Sequence, residues 1–124
     1  SAATANAYLS GTSEFKNNLL HSNTAAANYR GDANALAVIT AAAMQTKAES
    51  EGCITLANAD AALLTAPFYS TAPNFLPKTG SPALTGSSFT GLNSFFTTGT
   101  FRGAMGATDW TAGWTNWDPQ TKAY

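Results

Sequence analysis

The sequence predicts a mainly β chain of short strands and turns, with one substantial α-helix and a C-terminal region rich in Pro, Gly and Trp. Three observations carry this. Pro67, Pro73, Pro77, Pro82 and Pro119 cut the second half into short apolar pieces, and seven of the ten glycines lie beyond residue 79, a texture of turns rather than long helices. One stretch, 32–50, has strong helix formers and apolar residues at helical spacing. All three tryptophans, Trp110, Trp114 and Trp117, fall within eight residues near the C-terminus.

Residues 1–31 are polar and rich in small side chains. Within them Phe15-Lys16-Asn17-Asn18-Leu19-Leu20 reads as a short strand with an Asn-Asn corner, because Asn tolerates the left-handed backbone that a corner requires. Thr24-Ala25-Ala26-Ala27-Asn28 reads as loop. The helix over 32–50 takes Asp32 as its N-cap and Gly52 as its C-terminal punctuation. Leu36, Ile39, Ala43 and Lys47 lie along one stripe, widened by Met44. Leu36, Ile39 and Met44 are therefore expected to face inward, against a flat neighbour, and Leu36→Ala to cost roughly 2–4 kcal/mol. Glu49 and Glu51 oppose the helix dipole at small cost. Residues 53–56 read as a short strand, and 58–64 as one or two helical turns capped by Asn58 and stopped by Pro67.

Composition limits what the chain can do. Its 124 residues fit one domain, or one C-terminal segment of a larger protein, and suffice for a core without staples. Charged residues are only 10%, the net charge is −1, and there is no basic run. This excludes a nucleic-acid partner, which needs clustered Lys and Arg. No apolar run reaches spanning length, so membrane insertion is not expected. The single Cys53 rules out an intrachain disulfide framework and is expected to be buried as a small hydrophobe. The chain begins Ser1-Ala2-Ala3 without Met, so a leader or a larger N-terminal part is expected to have preceded it. Low charge with abundant Thr, Asn and Gly suits exported, extracellular or cell-surface material.

Catalysis finds little footing. Acid–base work needs two convergent carboxylates. Among Glu14, Asp32, Glu49, Glu51, Asp60, Asp109 and Asp118, the best pair is Asp109 and Asp118, which flank the tryptophans. Both read more naturally as turn formers. There is no Gly-x-Ser-x-Gly elbow, and His21 is the only histidine. No Cys/His spacing or calcium loop appears, so no metal or other cofactor is expected. The aromatic cluster is the one serious binding signal. As a strand, 110–117 would place Trp110 and Trp114 on one face, about 13 Å apart at Cα, and Trp117 on the other. As a helix it would align all three, but Thr111, Gly113, Thr115 and Asn116 argue against that. The rings are expected to pack with Phe95, Phe96 and Phe101 as a mini-core, Trp114 foremost. A sugar-stacking surface of Trp110, Trp114 and Trp117, with Arg102 and Asp109 beside it, is the alternative. Arg102 is expected to act as a clamp, stacked on a Trp or paired with Asp109.

Three segments carry a family resemblance. Pro73-Asn74-Phe75-Leu76-Pro77-Lys78-Thr79-Gly80-Ser81-Pro82-Ala83-Leu84 resembles the segment that often closes right-handed parallel β-helix proteins. Phe101-Arg102-Gly103-Ala104-Met105-Gly106, with the Trp-rich run after Asp109, is similar to the C-terminal end of a group of exported Bacteroidetes β-helix proteins. Phe15-Lys16-Asn17-Asn18-Leu19-Leu20 resembles one coil of such a solenoid. The resemblance covers about residues 67–119. It implies the end of a right-handed parallel β-helix, with the helix and the Trp-rich tail as its cap. Two departures stand against it: the chain lacks the repeated coils of ~20–25 residues that a solenoid shows, and it carries a long helix.

The function this implies is non-catalytic: a structural or adhesive component of a secreted or cell-surface assembly, working by self-association, as an oligomer or filament, or by packing on further coils. The alternatives are a carbohydrate-binding module for polysaccharide, or the non-catalytic end of a polysaccharide-degrading β-helix enzyme.

Overall fold

A computed structural model of the chain describes residues 1–21 and 28–121. The chain divides into two compact units, 1–59 and 60–124. The loop expected over 24–28 lies outside the described residues except for Asn28.

The first unit begins with a helix inside the stretch of small polar residues, where the sequence shows no helical period. Helix α1 (Ala2–Ser10) starts where the Ser1 hydroxyl accepts from the Thr4 N–H at 3.4 Å, and ends at Gly11, whose φ of 77° lets its N–H reach the Tyr8 carbonyl. Its buried contact is an alanine. Ala5 packs with Ala35 and Ile39, and Tyr8, Val38 and Met44 close the cluster.

The expected single helix over 32–50 is two. Helix α2 (Ala33–Leu36) takes its cap from Asp32, whose carboxylate accepts from the Ala35 N–H at 2.8 Å. The chain then turns, and Thr40 adopts an extended backbone with its hydroxyl accepting from the Ala43 N–H at 3.2 Å. That opens helix α3 (Ala41–Ser50). The cause is local: a β-branched hydroxyl residue is indifferent inside a helix and strong at its start. The break cuts the predicted stripe. Ile39 is buried as expected, Met44 is half-buried between two clusters, but Leu36 is 39% exposed.

Past α3, Gly52 has φ 85°, and Asn17 has φ 58°, the left-handed corner that the Asn pair predicted. The Asn17 N–H donates to the Glu51 carbonyl at 3.3 Å. The strand expected over 15–20 is confined to β1 (Leu19–Leu20), which pairs in parallel with β2 (Ile54–Thr55) in the register Leu19↔Ile54, Leu20↔Thr55. Behind this pair Tyr29, Ala48 and Cys53 form a second buried cluster, with Leu20 and Met44 against it. Cys53 is a buried free thiol that donates to the Phe15 carbonyl at 3.4 Å.

In sequence the units meet at a single 3-10 turn, Ala59–Ala62. It is shorter than the helical turns expected, because residue 64 already belongs to a strand. Strand β3 (Leu64–Ala66) pairs antiparallel with β4 (Asn74–Pro77), with a bulge between Leu64 and Ala66. Pro67, which has no N–H to donate, follows the last residue of β3. Ser81 is buried, donates to the Ala62 carbonyl at 2.6 Å and accepts from the Ala83 N–H, so it fastens the 3-10 turn Pro82–Leu84 to the start of the unit. Residues 85–121 carry turns without helix or strand.

The β-helix end implied by the resemblance is therefore corrected, and with it the mainly β class. A β-helix stacks parallel ladders coil upon coil. Among the described residues the one parallel pairing is two residues long, the other sheet is an antiparallel pair, and helices outweigh strands. The segment around Ser81-Pro82-Ala83 that suggested a terminal coil instead folds as a 3-10 turn. Pro and Gly recur too often after residue 67 for strands long enough to stack.

Candidate functional site: an exposed aromatic turn

Trp110 and Trp114 lie on a wound turn that is neither strand nor helix. The Asp109 carboxylate accepts from both the N–H and the hydroxyl of Thr111, at 2.9 and 2.5 Å. The Ala112 N–H returns to the Asp109 carbonyl, and the Thr115 N–H to the Thr111 carbonyl. Gly113, at φ 88°, occupies the left-handed position inside the turn. Winding brings Trp110 and Trp114 together: their ring centroids are 5.8 Å apart and the planes differ by 26°. A strand would have held these residues far apart.

Both indole N–H groups are held by backbone. Trp114 Nε1 donates to the Trp110 carbonyl at 2.6 Å, and Trp110 Nε1 donates to the Ala104 carbonyl at 3.0 Å. Yet Trp110 is 51% and Trp114 70% exposed. The expectation that Trp114 lies in a core is therefore corrected. Trp117 sits apart and meets Phe75 of β4 edge-on at 5.7 Å.

The predicted mini-core divides accordingly. Phe95 is 85% exposed and pairs edge-on with Phe96. The Phe101 ring lies over Gly106 so closely that a Cβ there would be 2.8 Å from it. Arg102 does clamp, but on other partners than those expected. Its guanidinium lies against Gly86, where a side chain would collide with it, and Nη1 donates to the Pro82 carbonyl at 3.4 Å. Its N–H donates to the Ala83 carbonyl at 2.7 Å. Asp109 is engaged by Thr111, whose hydrogen bonds hold its carboxyl below the usual range. Asp118 accepts from the Thr121 hydroxyl. Each of these acids organises its own turn.

A second concavity belongs to the first unit and was not foreseen, because it is walled by α1. It is a cleft of about 450 Å³ lined by Tyr8, Phe15, Leu20, Tyr29, Arg30 and Met44 among others. Beside it, the Tyr8 hydroxyl donates to Glu51 Oε2 at 3.2 Å, and Lys47 Nζ lies 4.9 Å from the Tyr8 ring centre and 2.6 Å from Glu51 Oε1. Burial first, and then the bond to Glu51, push the Tyr8 hydroxyl up to about 12.

Among the described residues no group of three His, Cys, Asp or Glu converges as a metal site, and no helix is long and apolar enough to cross a membrane. No known protein family, curated protein or solved structure matches the chain.

Proposed function

We propose that this chain is a non-catalytic structural or adhesive component of an exported or cell-surface assembly, and that it acts by burying aromatic side chains of its second unit against other copies of itself. The observation that carries the reading is exposure. Phe68 is 78% exposed, Phe95 85% and Leu92 55%. Unlike Tyr or Trp, Phe and Leu have no polar tip to satisfy in water, and Phe95 is exposed edge-on against Phe96, so the second unit leaves more large apolar surface in solvent than a lone chain gains from, which favours a protein partner.

Magnitudes set the form of association. Burying one such side chain is worth roughly 2 kcal/mol. Bringing two chains together costs about 4–15 kcal/mol in lost freedom and ordering. Several rings from each copy must therefore be buried at once, and removing two should disperse the assembly. Low charge supports the same reading, because a net charge of −1 offers little repulsion between copies.

Sedimentation of the full chain over a range of concentrations tests this. Oligomers or filaments are expected, and their loss in Phe68→Ser/Phe95→Ser. A monomer at high concentration with a cooperative melt overturns the proposal.

A further inference from the structure

We propose that the Trp110–Trp114 stack is a binding platform for a pyranose ring of a neutral polysaccharide. A tryptophan that stays in solvent is ordinarily free to move, and its N–H bonds to water. Here both N–H groups are tied to backbone carbonyls, the rings are stacked on each other, and Trp114 remains 70% exposed. The platform is thus rigid and outward-facing. Its rotamers are already fixed, so a ligand that stacks on it has little ordering left to do. With the indole donors engaged internally, what it presents is π surface. That surface attracts the weakly positive C–H edge and face of an apolar ring.

Charge chooses among such ligands. Asp109, next to Trp110, is the charge nearest the stack in sequence, while the flanking Arg102 is drawn against Gly86 and the Pro82 carbonyl, and the hydrogen bonds from Thr111 favour the charged form of Asp109. Anionic polymers, including nucleic acids and acidic glycans, are opposed by that negative charge. A neutral sugar is not, and its C–H face matches the π surface. Of the residues first grouped as a sugar surface, Trp117 is occupied with Phe75 and Arg102 lies against Gly86 and Pro82, so Trp110 and Trp114 carry the site.

The test titrates the full chain, at fixed dilute concentration, with cellohexaose, xylohexaose, mannohexaose and maltohexaose in turn. Tryptophan emission and acrylamide quenching are followed. At least one sugar should change emission saturably and shield the ring from quencher. Trp114→Ala should weaken that binding by about tenfold or more, and Leu9→Ala, an exposed position of the first unit, should leave it within about twofold. Wild-type chain that shows no saturable change and no shielding with any of the four overturns the proposal, whether or not Trp114→Ala folds. So does sugar affinity unchanged in a folded Trp114→Ala. A parallel dilution series of the chain without sugar completes the test: shielding that follows protein concentration and not sugar overturns the proposal and assigns the platform to a second copy of this chain.

Discussion

Gly52 joins the end of α3 to β2, and its replacement separates two costs that usually travel together. At φ 85° any side chain meets left-handed strain, about 1–2 kcal/mol for an L-residue. A Cβ at Gly52 would in addition overlap Asn17 Oδ1. Asn17 cannot simply move away as a backbone, because its N–H donates to the Glu51 carbonyl. The overlap is with the amide oxygen alone, the end of a rotatable side chain, so its amide must rotate away, at about 0.5–1.5 kcal/mol for an unfavourable rotamer. Gly11 is the internal control: its φ is 77°, and nothing lies within 4 Å of the Cβ it would carry. Gly11→Ala should thus cost about 1–2 kcal/mol, and Gly52→Ala about 1.5–3.5 kcal/mol. Adding Asn17→Gly to Gly52→Ala should recover the steric part, since glycine accepts the φ of 58° at that corner. Helices α1–α3 all lie in the first unit, so far-ultraviolet circular dichroism during denaturation follows that unit, while the tryptophans report on the second. Equal losses for Gly52→Ala and Gly11→Ala, or no recovery in the double variant, would refute the reasoning.

Two further outcomes follow from the same unit. Ile39→Ala should cost roughly 2–4 kcal/mol and Leu36→Ala under about half of that, because the break at Thr40 leaves Ile39 buried and Leu36 partly exposed; equal losses in chemical denaturation would restore the single continuous helix. Tyr8, pushed up from 10.0 to about 12, keeps its proton when folded at pH values where the unfolded chain has lost it. Its contribution is complete below pH 10 and is lost as pH climbs from 10 to about 12, so Tyr8→Phe should flatten that alkaline fall in helix signal, and an unchanged profile would remove Tyr8 as its source.

What the sequence made legible was local chemistry. Asp32 as a cap, the left-handed Asn17, the burial of Cys53 and turn-forming Asp109 all follow from what one side chain does to its own backbone. Helix α1 was not legible, because its one buried residue is Ala5 and its hydrophobic pattern is faint. Alanine packs by letting backbones approach closely, which leaves no apolar period to read. The break at Thr40 was written in the sequence as a hydroxyl three residues before the Ala43 N–H that it caps. It was outweighed by the strong helix propensity on either side. The solenoid failed for a different reason. Resemblance in short Pro- and Gly-rich segments reflects turn chemistry, and turns do not specify what they connect.

The tryptophan run shows how far composition and geometry part. Three indoles within eight residues signalled either a core or a surface, and the deciding information lay between them. Thr111 bonds back to Asp109 and Gly113 takes a left-handed conformation, so the chain winds instead of extending. Winding places residues four apart on the same side, which stacks Trp114 on Trp110 and gives its N–H the Trp110 carbonyl. An indole whose N–H is satisfied that locally needs no buried partner elsewhere, and burial ceases to be the only stable solution. The same local bonding that removes the need for a core is what holds the ring rigid in solvent. If Thr111→Val, which keeps shape and removes the hydroxyl that binds Asp109, leaves the Trp110–Trp114 stack intact, as read by near-ultraviolet circular dichroism, then the turn does not depend on that bond. Because the Thr111 hydroxyl helps wind the turn, the stack's signal should weaken.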